Sequence, residues 1–169
     1  MGGKWSVSTA VADALGSPRA GFGDYLRLEI ARLGGDPNSR HPLQDLGKQR
    51  VGEDPAAFCN DVLSAGGFTP GDDFVMDGVR HVEIFDILLT EACPSTTRLL
   101  FLRVQDANRL TRVEVRPDRA DFMGASDHPV EAELKDGLPS RADVIVNADQ
   151  PFESVVADCL ALVELWRDR

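Results

Sequence analysis

Along this chain the apolar positions change period several times, and each change marks an expected element. "TRLLFLRV" (97–104) and "ADVIVN" (142–147) are short apolar runs of the kind that forms a buried strand, and "DDFVMDG" is a third, ended by Asp-Gly. A further extended piece is expected from Pro18 to Phe22. Elsewhere the apolar residues fall at helical spacing. A first helix is expected from Thr9 to Leu15, and a second from Asp24 to Leu33 with Leu26, Ile30 and Leu33 on one stripe. "GGDPNSRHP" reads as a loop by its Gly, Pro and Asn content. Pro42 to Ala65 reads as helix interrupted near Gly52–Pro55, where Asp54 caps and Pro55 takes the first helical position. Val82 to Ala92 aligns Phe85, Leu88, Leu89 and Ala92. The final helix carries Phe152, Val155, Val156, Cys159, Leu160, Val163 and Trp166, a stripe that reads as core. Residues 105–141 are polar and charged and read as an irregular, lid-like excursion from a single domain spanning 1–169.

Apolar strands without alternation, separated by helices, imply an α/β fold with a parallel sheet covered on both faces. Ligands of such folds bind beyond the carboxyl ends of the strands. Composition narrows the picture further. Hydrophobic residues make up 43% and charged residues 27% of the 169, as in ordinary globular domains. The net charge of −10 opposes general attraction to duplex DNA or anionic lipid. No apolar run approaches the roughly 20 residues of a spanning helix, and no secretory core is visible. Cys59, Cys93 and Cys159, like His41, His81 and His128, are scattered without metal-ligand or disulfide spacing. They fit buried or incidental thiols in a reducing, cytoplasmic setting.

Two post-strand stretches carry candidate chemistry. In "GFGDYLR", Asp24 and Arg27 share a helix face, and an arginine at a helix start can clamp phosphate with its planar fork. The plainer alternative is an Asp N-cap beside a solvated arginine. In "MDGVRH", Asp77 ends a strand where an acid can hold Mg²⁺ through water, Gly78 lets backbone approach a ligand, and Arg80 follows. The plainer alternative there is a strand-ending Asp-Gly turn.

Taken in order, "GDYLR" is similar to the Gly-Asp-x-Leu-Arg of adenylate kinases and "DGVR" to their Asp-Gly-Phe-Pro-Arg. "ADVIVN" with the last helix resembles the closing segment of nucleoside-monophosphate and dephospho-CoA kinases, and "QDANRLTRVEVR" stands where they carry an arginine-bearing lid. The resemblance implies a three-layer P-loop kinase fold binding ATP and Mg²⁺. It gives Arg27 the acceptor phosphate, Arg80 the acceptor or transferred phosphate, and Asp77 the metal or acceptor, with Asp24 a weaker candidate for either task. Asn147 would lie near the ATP base, and Arg109 and Arg112 would supply lid charge. Such transfer works by positioning and charge neutralisation.

The family's phosphate loop is Gly-x-x-x-x-Gly-Lys-Ser/Thr. Threaded on "MGGKWSVSTAVADAL", it keeps Gly2, with Gly3 beside it, and keeps Thr9 as a Mg²⁺ ligand. Val7 replaces the second glycine and Ser8 the lysine, while Lys4 stands earlier in the loop. In this fold a strand lies mid-sheet before the loop. Only Met1 precedes Gly2 here, so the sheet is expected to lack that strand or to build it from residues 3–8. The same opening fits a myristoylation pattern, but one acyl chain anchors weakly without a basic patch. Two functions follow. One is a phosphotransferase moving the ATP γ-phosphate to a nucleotide-like acceptor. The other is an impaired relative that binds nucleotide or regulates. A kinase acting on a base within DNA is disfavoured by the acidic balance, and a second copy could complete the sheet as a homodimer.

Overall fold

A computed structural model of the protein describes residues 6–105 and 137–168. Their elements are α1 (Val7–Leu15), β1 (Arg19–Gly21), α2 (Phe22–Arg32), α3 (Arg40–Glu53), α4 (Pro55–Ala65), β2 (Val75–Asp77), α5 (Val82–Glu91), β3 (Leu100–Arg103), α6 (Leu138–Arg141), β4 (Val144–Asn147) and α7 (Phe152–Arg167). The fold is mixed α/β, with β1 paired to β2 and β3 paired to β4, both in parallel. Contacts group the chain into two compact units, Gly16–Thr97 and Met1–Leu15 with Arg98–Arg169.

In Gly16–Thr97, α4 supplies the largest share of the core. Asp54 accepts a hydrogen bond from the Ala57 amide at 2.9 Å and Pro55 takes the first turn, so the helix starts where a cap and a preset φ coincide. Its Phe58, Cys59, Val62 and Leu63 then line one face and pack with Ala20, Phe22, Leu26, Ile84 and Leu88. Phe58 meets Phe22 edge-on at 5.1 Å and Tyr25 at 6.0 Å. Arg50 of α3 closes this layer, its guanidinium 5.5 Å from the Phe58 ring, hydrogen-bonded to Asp61 and 3.7 Å from Glu29. Burial works against the Arg50 charge, but the Asp61 hydrogen bond and the Glu29 carboxylate outweigh it and hold the group above its usual pKa. That arginine is a structural clamp between three helices.

Several boundaries differ from the sequence reading. Helix α2 starts at Phe22, two residues before Asp24, and α3 starts at Arg40, inside the expected loop. Leu33 is 80% exposed beyond the end of α2, so the apolar stripe of that helix ends at Ile30. Leu89 is likewise exposed, and α5 buries Ile84, Phe85 and Leu88.

In the other unit, Leu100 to Arg103 pair in register with Val144 to Asn147. Asp143 ties the start of this pair, accepting from the Leu99 amide at 2.7 Å and from Arg98 at 3.0 Å. Helix α7 buries Val155 and Cys159, and α1 packs on it through a face that buries Val11 and Ala12. Residues 7 and 8 are helical, so they add nothing to a strand built from 3–8, and residues 3–5 lie outside the described residues. Gly2, Gly3, Lys4, Arg109 and Arg112 lie outside the described residues. Among the described residues, no helix is long and apolar enough to cross a membrane.

The thiols give an early test. Cys59 is fully buried and burial pushes its pKa up to about 12; burial also raises Cys159, while Cys93 is exposed. In a chromogenic disulfide assay of native protein, Cys93 is expected to react fast and the other two only on unfolding. A raised folded pKa favours the protonated thiol, so the Cys59 contribution to stability is intact below the ordinary value of 9.0 and is lost as pH rises from there towards 12.

Candidate functional site

Strand β1 runs Arg19, Ala20, Gly21, and strand alternation puts Arg19 and Gly21 on the same side with buried Ala20 on the other. Gly21 pairs with Asp77 at the carboxyl end of the sheet and is also the N-cap of α2. Asp24 then falls in the first turn of α2, where the helix dipole favours a negative charge. Arg27 lies one turn further on the same face.

These placements bring four charges together. Arg19 donates from Nη2 to Asp24 Oδ2 at 2.6 Å and from Nη1 to Asp77 Oδ2 at 3.2 Å. Arg27 Nη1 donates to Asp24 Oδ1 at 3.1 Å. The Arg19 side chain is the most enclosed of the group, 23% exposed, against 49% for Arg27, 52% for Asp24 and 43% for Asp77.

The backbone beneath is stripped of side chains. A Cβ on Gly21 would stand 3.1 Å from Asp24 Oδ2 and 3.3 Å from Arg19 Nη1, and one on Gly23 would stand 3.4 Å from Arg27 Nη1. Gly78 has φ +78°, a conformation that favours glycine, and a Cβ there would lie 3.8 Å from the amide nitrogens of Phe22 and Gly23. Glycines on both strands' exits thus keep the start of α2 open. Exposed ion pairs add little to stability, about 0–1 kcal/mol each. Two guanidinium groups at a helix N-terminus can, however, bind an anion such as phosphate.

Of the predicted residues, Asp24, Arg27 and Asp77 meet in this network. Arg80 lies exposed in the stretch leading to α5. Asp24 sits inside the first turn and is not the N-cap. Arg19 was missed by the sequence reading, though one signal pointed to it. A charged residue inside a short buried strand needs a partner, and the acids after β1 and β2 supply two.

The remaining predicted residues belong to the other unit. Ser6 caps α1: its hydroxyl accepts from the Thr9 amide at 3.2 Å and lies 2.8 Å from both the Ser8 and Thr9 hydroxyls. Asn147 Oδ1 accepts from the Asp149 amide at 3.0 Å in the turn after β4. Mg²⁺ would therefore compete with Ser6 for Thr9 and with Arg19 for Asp77. Among the described residues no group of three or more His, Cys, Asp or Glu could hold a metal ion. Compared with protein-family models, with curated proteins and with solved structures, the chain matches none.

Proposed function

We propose that this chain is a nucleotide-kinase-like protein that holds the phosphate of a small, nucleotide-like acceptor at the carboxyl end of the β1–β2 pair. The observation that carries the reading is the network of Arg19, Asp24, Arg27 and Asp77 over the glycine-lined start of α2. The two stretches whose order suggested a kinase, "GDYLR" and "DGVR", supply three of its four members. The parallel β1–β2 and β3–β4 pairs support the α/β part of the reading.

In the phosphotransferase form of this reading, Arg27 and Arg19 take the acceptor phosphate, and ATP with Mg²⁺ is the donor. Asp77 and Arg80 act near the transferred group and Arg109 and Arg112 serve as lid cations. One observation favours the second form, a nucleotide binder with little or no ATP turnover. Ser8 and Thr9, where the phosphate loop would carry its lysine and metal ligand, share hydroxyl contacts with Ser6. The setting proposed is the cytoplasm, where nucleotides are abundant and thiols stay reduced. A homodimer completing the sheet from a second copy belongs to the same proposal.

Calorimetric titration tests it. A nucleoside monophosphate is expected to bind, and Arg27→Ala to weaken it by roughly 10- to 100-fold, the value of a charged hydrogen bond. Absence of binding, or binding indifferent to Arg27→Ala, overturns the reading. Mg·ATP binding abolished by Lys4→Ala selects the phosphotransferase. Retained monophosphate binding without any Mg·ATP binding selects the second form.

A further inference from the structure

Asp24 stands where an anionic ligand would stand. Its two oxygens are divided between two guanidinium groups, Oδ2 on Arg19 Nη2 at 2.6 Å and Oδ1 on Arg27 Nη1 at 3.1 Å. That is the way a phosphate monoester would present two of its oxygens to the same pair. The carboxylate lies folded back over Gly21, whose missing Cβ would sit 3.1 Å from Oδ2, so the backbone is shaped to let it in.

We infer that Asp24 is a built-in occupant of the Arg19–Arg27 fork, a carboxylate that a phosphate monoester dianion must displace in order to bind. The inference rests on the phosphate-binding reading above and deepens it. Asp24 is free to leave, because its side chain is half exposed and has solvent beside it. Arg19 does not follow it, because its other nitrogen stays on Asp77 at 3.2 Å. The fork therefore keeps its shape when the carboxylate swings out.

Displacement also sets the ligand class. With Asp24 in place the two cations are balanced by the Asp24 and Asp77 carboxylates, so a monoanion gains nothing by the exchange. A dianion with oxygens for both guanidiniums replaces one charge by two at a helix N-terminus. Phosphate monoesters and inorganic phosphate near neutral pH meet this requirement, whereas phosphodiesters and simple carboxylates do not.

Calorimetry with inorganic phosphate as the probe tests this on wild type, Asp24→Asn, Asp24→Ser and Asp24→Glu, each checked for native folding by circular dichroism. Removing the competing charge is expected to tighten phosphate binding about tenfold in Asp24→Asn, as expected for one charge at a solvated site, and comparably in Asp24→Ser. Asp24→Glu keeps the charge and is expected to bind like wild type. Wild-type binding that depends on Arg27, with Asp24→Asn and Asp24→Ser unchanged or weaker, overturns the inference and leaves the phosphate site standing. An equal gain in Asp24→Glu also overturns it, since charge would not be the cause. No binding by wild type or any variant removes the site and the inference together.

Discussion

Phe58→Ala is expected to destabilise the protein by about 3–5 kcal/mol, the largest effect of any single core truncation proposed for this chain. Phe58 is 3% exposed and lies at the meeting point of three aromatic and cationic neighbours: Phe22 edge-on at 5.1 Å, Tyr25 at 6.0 Å, and the Arg50 guanidinium at 5.5 Å. Truncation removes the ring's transfer free energy and leaves a cavity among Cys59, Val62 and the α2 residues, on a helix that the Asp54 cap anchors at its start. It also strips Arg50 of the flat surface over which it reaches Asp61 and Glu29. Phe58→Leu is expected to cost well under half as much, because it keeps most of the buried volume. Urea unfolding followed by circular dichroism checks both. A loss below about 1 kcal/mol for Phe58→Ala would mean that this ring is not at the centre of the unit.

Gly66→Ala is the second large effect, and its cause is purely steric. Gly66 has φ −83° and ψ −6°, which any residue adopts, so the backbone imposes no penalty. An added Cβ, however, would stand 2.5 Å from Ala20 Cβ and 2.8 Å from Phe74 Cζ. Neither neighbour is a flexible tip. Ala20 belongs to β1, and Phe74 is held edge-on by Phe68 at 5.3 Å. The end of α4 must therefore move off β1, at a cost of about 1–3 kcal/mol. Gly67→Ala makes a useful contrast: its Cβ would meet nothing within 4 Å, and its φ of +74° makes the cost conformational instead. Because Ala20 lies between Arg19 and Gly21, Gly66→Ala is also expected to weaken phosphate binding, whereas Gly67→Ala is not.

Much of this was legible in the residues, and the misses have physical reasons. The strand at "ADVIVN" and the break at Asp54-Pro55 were plain because apolar runs and caps are local signals. The start of α2 was not, since Gly21 supplies no side-chain cap and the helix begins on backbone alone. α3 was read as starting at Pro42, two residues late, because Arg40 and His41 follow a Gly/Pro/Asn run that reads as loop. Pro42 in fact sits within the first turn, where its missing N–H costs nothing. Its own residues are nowhere fully buried; the apolar ones that lean on the core are Leu43, Leu46 and Val51, with Arg50 beside the Phe58 ring. Leu33 followed the helical period faithfully yet lies past the point where α2 has a neighbour. At the site, Asp24, Arg27 and Asp77 were found from the chemistry that follows strands. Arg19 was overlooked because its partners are distant in sequence, and a lone arginine in "SPRAG" carries no local sign of them.

The most direct measurement is the two-dimensional amide spectrum of the protein titrated with a nucleoside monophosphate. A phosphate seated over the start of α2 shifts the Gly21, Phe22, Gly23 and Gly78 amides together, with the same saturation curve, and Arg27→Ala flattens that curve. Shifts that gather on the β3–β4 unit while these four amides stay still would contradict it.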